Sequence, residues 1–280
     1  MINSKTKLLG LIGHPVEHSL SPVMHNRALK DKNLNYVYLA FDVHPNKLKY
    51  VVDGAKALGT FKGFNVTVPY KVEVINYLDK LDREAQLIGA VNTVKIEDSI
   101  ATGYNTDGLG ARMALEEEIG KVKGKDILIV GAGGAARAVA FELAKDNNIT
   151  VVNRTVERAK LLAEEIWRKL NRKVNYGDLK VDLRDYHILI HATPVGMYPH
   201  VNVKPVIDLE GIPRDMVVMD LIYNPRETAL LREAKKRGAK TINGIGMLVY
   251  QGALAFEIWT GVKPDVEVMR RAVESCLLQS

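Results

Sequence analysis

Apolar and polar positions follow two alternating rhythms along the chain. Short apolar runs read as strands, and the stretches between them repeat apolar residues every three or four positions, as helices do. Leu8–Ile12, Tyr36–Val43 and Gly63–Val68 carry the strand pattern. Helices are expected from Ser21-Pro22, over Pro45–Leu58 and over about Tyr70–Leu81. Ser21 can cap the first of these, and Pro22 suits the first helical position. Val91–Ile96 and Ile100–Tyr104 predict a short antiparallel pair. A helix over Asp107–Ile119 ends at Gly120, and the charged turn KVKGKD leads into a second series. That series reads as strand Ile127–Val130, a Gly-rich turn, helix Ala135–Asp146, strand Ile149–Val152 and helix Thr155–Leu170. The last helix puts Val156, Ala159, Ala163, Ile166, Trp167 and Leu170 on one face. Strands Ile188–His191 and Val217–Asp220 follow, and helices Ile245–Trp259 and Val266–Leu277 close the chain. The alternation predicts an α/β fold with parallel strands. No internal repeat or low-complexity segment interrupts it.

At 280 residues the chain has room for roughly two domains of about 150 residues. Hydrophobic residues at 47% and charged residues at 26% exclude a disordered chain, a collagen and a small disulfide scaffold. The formal net charge is +6, yet basic residues never run beyond clusters such as Lys235-Lys236-Arg237. So thin a surplus suits a solvated surface or a field that attracts small anions, not nucleic acid. The single cysteine, Cys276, cannot form an internal disulfide and gives no sign of an oxidising compartment. The apolar run near the N-terminus is too short for a secretory core. The longest uncharged stretch, Tyr186 to Val203, is broken by Pro194, Gly196 and Pro199 and is no membrane span. A cytoplasmic protein without a nucleic-acid or membrane partner is the expectation.

The most telling local signal is DILIVGAGGAARAVAFEL. An apolar strand runs into Gly131, Ala132, Gly133, Gly134 and Ala135, and then into a helix. Gly131 permits the tight turn, Gly133 lets backbone approach a pyrophosphate, and Ala136 allows close helix–strand packing. The helix N-terminus offers free N–H groups to phosphates. After the second strand an NAD enzyme usually carries a carboxylate for the ribose hydroxyl. Here the chain has Asn153, Arg154 and Thr155, with Arg158 one turn later. Guanidinium groups and a hydroxyl suit a 2′-phosphate, so NADP is expected over NAD. Thr155 as a helix cap, with solvated arginines, is the plainer alternative.

Three other patterns lack their structural context. His14-Pro15-Val16-Glu17-His18 has H-x-x-E-H spacing, but a metal-binding version needs a helix, and this one follows a strand and contains proline. Tyr176 and Lys180 have reductase spacing, but Gly177 and Asp178 between them argue against a helix. Cys276 has no Cys or His at ligand spacing, so no metal is expected.

The first half carries HSLSPVMHN, GFNVTVPYK, GAVNTV and GYNTDGLG, each where a strand ends or a helix begins. They present Ser19, Ser21, Asn65, Thr67, Lys71, Asn92, Thr106 and Asp107. Hydroxyls, amides, one ammonium and one carboxylate suit a small polyhydroxylated acid, with Lys and Asp able to manage a proton. Taken alone, Ser21 and Asp107 fit helix caps equally well, Lys71 a surface charge, Asn92 a satisfied buried amide and Gln251 a helix surface residue. Their joint appearance with the nucleotide motif favours a site.

With GAGGAARA, VVNRT, ATPVGMYP, DLIYNPRET and NGIGMLVYQGALAFEIWTG added, the sequence closely resembles the shikimate dehydrogenases nearly end to end. The resemblance implies NADPH-dependent reduction of 3-dehydroshikimate to shikimate in aromatic amino-acid biosynthesis, without a metal. It implies a substrate domain over 1–107, with the C-terminal helices of 246–280 returning to it, and a Rossmann-type domain over 108–245 beside a cleft. Carried over, Ser19 and Ser21 bind the substrate carboxylate. Asn65, Thr67, Asn92, Tyr223 and Gln251 bind other substrate groups, and Lys71 and Asp107 form the catalytic pair. Thr193, Gly246 and Met247 join the cofactor residues. The alternatives are a broader quinate/shikimate dehydrogenase and a non-catalytic metabolite sensor, against which the retained Lys71 and Asp107 speak. A homodimer stays open.

Overall fold

Residues Leu9 to Gly13 are buried along β1 (Lys7–Gly13), so this strand lies inside its sheet and not at an edge. The structure is a computed structural model that describes residues 2–278. After β1 come α1 (Ser21–Asp31), β2 (Tyr36–Asp42), α2 (Leu48–Ala57), β3 (Phe61–Val66), β4 (Lys80–Leu81), α3 (Arg83–Ile88), β5 (Thr93–Glu97) and β6 (Ile100–Tyr104). These strands form one sheet in the order β2-β1-β3-β5-β6-β4. β1 runs parallel to β2 and β3, whereas β5 is antiparallel to both β3 and β6. Leu48, Val52 and Ala55 of α2 pack with Phe64, Val66 and Val94 in the core on one side.

The chain continues through α4 (Asp107–Ile119), β7 (Asp126–Val130), α5 (Gly134–Leu143), β8 (Asn148–Val152), α6 (Val156–Leu170), β9 (Val174–Gly177), β10 (Ile188–His191), β11 (Val217–Asp220), α7 (Ala229–Lys236), β12 (Lys240–Ile242), α8 (Ile245–Thr260) and α9 (Val266–Leu277). The second sheet has the order β12-β11-β10-β7-β8-β9, and every pairing in it is parallel. Counted from β7, this is the doubly wound order 3-2-1-4-5-6, whose direction reverses between β7 and β10. Ile127 through Val130 are wholly buried, as a central strand covered on both faces requires. Two compact units result: residues up to Asp107 together with those from Val249 onward, and Gly108–Leu248. The α/β class with a Rossmann-type second part is as the sequence predicts.

Several elements differ from expectation. The helix expected over Tyr70–Leu81 is only a 3-10 turn, Glu73–Tyr77. Its end is drawn into the sheet: Asp79 donates its N–H to Ala101, and its carboxylate accepts the Ala101 N–H at 2.7 Å. Ser21 does not cap α1; the helix starts at Ser21 itself with Leu20 before it and no side-chain cap. On α6 the buried face is Ala159, Leu162, Ala163 and Ile166, while Val156 and Trp167 are exposed. The apolar character of Trp167 is therefore no guide to the face it occupies. The short elements β4, α3, β9, α7 and β12 went unassigned, although α3 has a capping Asp82 and a left-handed Gly89 at its ends.

Candidate functional site

In the first unit, backbone pairing brings the candidate polar residues together. The Lys71 carbonyl accepts the Val91 N–H at 2.7 Å, so the turn after β3 is tied to the residue before Asn92. Asn92 itself is pinned between strands, with its carbonyl accepting the Val66 N–H and its N–H donating to the Tyr104 carbonyl. Asp107 opens α4, and its own N–H is taken by Asn105 Oδ1 at 3.1 Å. Lys71 Nζ donates to Asp107 Oδ2 at 2.5 Å, and Asn92 Nδ2 donates to Asp107 Oδ1 at 2.8 Å. The lysine side chain keeps 17% of its surface exposed, against 5% for the aspartate. The ammonium therefore faces outward from a carboxylate that is almost fully enclosed.

The direction of the Asn92 amide is fixed by its neighbours. Its Oδ1 accepts the Thr106 backbone N–H at 2.9 Å and the Thr93 hydroxyl at 3.0 Å, so its Nδ2 must face Asp107. Thr93 Oγ1 in turn accepts from Asn65 Nδ2, which also donates to the Asn92 carbonyl. Asn65 Oδ1 accepts the Tyr38 hydroxyl at 2.8 Å. Both amide hydrogens of Asn65 are thereby committed within the protein. Burial pushes the Tyr38 ionisation well up, so its hydroxyl stays protonated and is a dependable donor. Gln251, which arrives from α8, accepts the third and longest Asn92 contact at 3.3 Å. Ser19 is half-buried with its Oγ accepting the Ser21 N–H at 3.3 Å, Ser21 is buried, and Thr67 is half-buried at the end of β3. The sequence reading missed Tyr38 and Thr93 as members of this network. Thr93 had a signal, since a hydroxyl beside a buried Asn is a ready amide clamp.

His25 lies behind the network, wholly buried and stacked on Tyr38 with ring centroids 4.4 Å apart. Neither ring nitrogen has a hydrogen-bond partner. Burial lowers its pKa to about 3, a pull that the nearby Asn65 amide offsets only in part, so the ring is neutral.

In the second unit the Gly-rich turn follows β7. Gly131 has φ +121°, and a Cβ there would lie 2.8 Å from the Ala192 carbonyl oxygen, so only glycine fits without strain. Gly133, Gly134 and Ala135 open α5, and a Cβ on Gly133 would meet nothing within 4 Å. A helix N-terminus with clear space over a glycine is a cradle suited to a phosphate group. Ala132 is half-buried beside it. At the end of β8, Asn153 Nδ2 donates to the Thr155 carbonyl, and Arg154, Thr155 and Arg158 are exposed. Thr155 stands at the N-cap position of α6 without a side-chain cap bond, so the helix does not consume its hydroxyl. No carboxylate replaces the arginine there. Thr193 is half-buried just beyond β10, Tyr223 half-buried beyond β11, and Gly246 and Met247 open α8; these belong to the second unit.

The H-x-x-E-H pattern lies in the loop after β1, where His14 Nδ1 pairs with Asp42 Oδ1 at 2.8 Å. Among the described residues no group of three or more His, Cys, Asp or Glu is placed to hold a metal. No described helix is long and apolar enough to cross a membrane.

Comparison with known proteins covers almost the whole chain. Residues 11–94 match the model of the shikimate dehydrogenase substrate binding domain, 113–237 that of shikimate / quinate 5-dehydrogenase, and 244–274 that of the shikimate 5'-dehydrogenase C-terminal domain. The chain is 68% identical over 277 residues to the shikimate dehydrogenase (NADP(+)) of Methanocaldococcus jannaschii, covering 98% of each. It is similar to a crystal structure of a shikimate dehydrogenase in complex with NADP+, with TM-score 0.97, 66% identity and coverage of 99% of this chain and 98% of that one. It also matches the shikimate 5-dehydrogenase of Thermus thermophilus in complex with NADP(H) and shikimate, with TM-score 0.89, 39% identity and coverage of 97% and 100%.

Proposed function

Because this chain belongs to the shikimate dehydrogenase family, we propose that it reduces 3-dehydroshikimate to shikimate with NADPH, reversibly, in the route to aromatic amino acids. The observation that carries the reading is the Lys71–Asp107 pair, an ammonium 2.5 Å from an enclosed carboxylate. The residues present fit the cofactor: an open glycine cradle at the α5 N-terminus, and Arg154, Thr155 and Arg158 in place of a carboxylate after β8. Bound NADPH supplies a hydride to the ketone carbon. The oxygen of that carbonyl then needs a proton, and Lys71 Nζ gives it; on the reverse reaction Lys71 takes it back. Only one of the three Nζ hydrogens is directed at Asp107, which leaves others for the ligand. Asp107 keeps the lysine aimed, and Asn92 keeps Asp107 aimed.

Ser19 and Ser21 hold the substrate carboxylate through hydroxyl donors, and Thr67 and Gln251 hold ring hydroxyls. Asn92 reaches the ligand by exchanging its long Gln251 contact, the weakest of its three. Asn65, with no amide hydrogen to spare, supports Asn92 and contributes at most an acceptor. The domain assignment follows the same lines: the unit that contains Lys71 binds substrate, and Gly108–Leu248 binds NADP. Function in the cytoplasm and with small-molecule partners alone belongs to this reading. Steady-state turnover with shikimate or quinate, each with NADP+ or NAD+, tests it. Shikimate with NADP+ should give the highest kcat/KM of the four; a preference for quinate with NAD+ would overturn the assignment.

A further inference from the structure

Trp259, in the last turn of α8, sits in a notch of the first sheet. β3 carries one extra residue at Lys62, because Leu8 of β1 pairs with Phe61 and Leu9 with Gly63. Such a bulge turns a strand locally. It delivers Gly63, where a Cβ would lie 2.5 Å from the Trp259 indole and would also strike the Val94 carbonyl oxygen. Glycine alone leaves room for the ring. The indole Nε1–H donates to that same Val94 carbonyl at 2.9 Å. The ring also meets His25 and Tyr38, with centroids 5.4 Å and 6.0 Å away, and Trp259 is buried.

Val94 lies in β5, just beyond Asn92. Helix and strand therefore touch at two places: Asn92 Nδ2 donates to Gln251 Oε1 at 3.3 Å, and Trp259 donates to Val94 at 2.9 Å. The indole bond is the shorter of the two. Between them Gly252 lets α8 lie close to α1, since a Cβ there would strike the Met24 side chain. The Phe256 and His25 rings stack along the same seam, their planes 2° apart. An apolar seam sets how near the helices lie, but the force behind it has no direction. The indole bond has one, so it fixes α8 along its own axis. Gln251 stands about two turns, or about 12 Å, along the same rod. A slip at Trp259 therefore moves Gln251 with it.

Resting on the reading of Gln251 as a contact to the substrate's ring hydroxyls, we infer that Trp259, seated on Gly63, is the positioning residue that sets the reach of Gln251. It acts through the helix and not on the ligand. The bonds that hold the Asn92 amide against Asp107 come from Thr93 and Thr106, outside α8. Trp259 thus governs how tightly shikimate is held and leaves the proton step to Lys71 and Asp107.

Steady-state kinetics on the full chain, with shikimate and NADP+, test this. Trp259→Phe keeps a ring in the notch and loses only the donor. The KM for shikimate should rise about 3- to 10-fold, the scale of one hydrogen bond, while kcat and the KM for NADP+ stay within about 2-fold. Gln251→Ala should raise the same KM, and adding Trp259→Phe to it should raise it no further, because both act through one contact. An anchor that only holds the fold together would instead lower kcat, or add its full cost to that of Gln251→Ala; either result overturns the inference. An unchanged KM in Trp259→Phe, with Gln251→Ala still impaired, overturns it alone. A wild-type KM in Gln251→Ala overturns the reading of Gln251 and this with it. Should Trp259→Phe not fold, indole hydrogen exchange by NMR decides, with the exposed Trp167 as the reference. Binding is reciprocal, so saturating shikimate should slow exchange at Trp259 more in the wild type than in Gln251→Ala at equal occupancy. Equal slowing in the two proteins refutes the coupling.

Discussion

Asn92 donates an amide hydrogen to Asp107 across 2.8 Å, and its oxygen is held in place by Thr93 and Thr106. The orientation of the Asp107 carboxylate thus rests on a hydroxyl that touches neither Asp107 nor Lys71. Thr93→Val should leave the fold intact at a cost of about 1–3 kcal/mol, since it strands an Asn65 amide hydrogen. It should lower kcat more than it raises the KM for shikimate. Equal loss in both, or none, would show that Thr93 only packs.

On the proposed mechanism, replacing Lys71 with Ala removes the proton donor but no core contact. The expected loss in kcat is roughly 10²–10⁴, the scale for a missing general acid, with little change in substrate affinity. Stopped-flow or steady-state absorbance of reduced nicotinamide reads it directly, and near-normal turnover would exclude the role.

The two glycines of the nucleotide turn should fail differently. Gly131→Ala places a Cβ 2.8 Å from the Ala192 carbonyl oxygen in a backbone conformation that L residues avoid. Its thermal midpoint should fall. Gly133→Ala meets no protein atom within 4 Å and has ordinary φ, so its melting temperature should hold while NADP+ affinity drops. A pair of melting curves beside a pair of binding isotherms separates the outcomes.

Arg154→Asp reverses a charge at the end of β8 and puts a carboxylate where a ribose hydroxyl would be bound. NADP+ should bind about 10- to 100-fold more weakly, the equivalent of one or more charged hydrogen bonds, and NAD+ should improve. An unchanged ratio of the two KM values would place the 2′-phosphate elsewhere.

Arg112 ties α4 to Asp146, donating to its Oδ1 at 2.7 Å and to the Glu142 carbonyl at 3.0 Å. The hydrogen bond from Arg112, helped by its charge, holds the Asp146 carboxyl below its ordinary value of 3.8. A depressed carboxyl stabilises the fold above its unfolded pKa and loses that contribution as pH falls through the folded one. Arg112→Ala should cost about 2–3 kcal/mol at pH 7. Urea titrations should show the difference from wild type narrowing below about pH 3.8; a constant difference would mean that Arg112 acts by packing.

The legibility of this chain differs from element to element. The β7–turn–α5 segment was readable because its signals are local: an apolar run, glycines where the backbone needs them, and a helix start. The segment Tyr70–Leu81 misled because its apolar spacing fits a helix, and only pairing of its end with β6 shows otherwise. Lys71 and Asp107 are read as a pair from the motifs, but the hydrogen bond by which Asn92 aims the Asp107 carboxylate is not. His191 read as the last residue of a strand.

The sequence by itself determined the strand and helix rhythm, the Gly-rich turn and the absence of a carboxylate after β8, because each is written within a few residues. Tertiary structure alone decided which oxygen of Asp107 faces Lys71, which way the Asn92 amide points, and that Gln251 and Asn92, 159 positions apart, touch. It also set His191 opposite Asp220. Sheet order and register bring these groups together, and a hydrogen bond's direction depends on every neighbour present, so neither can be read from any single stretch of chain.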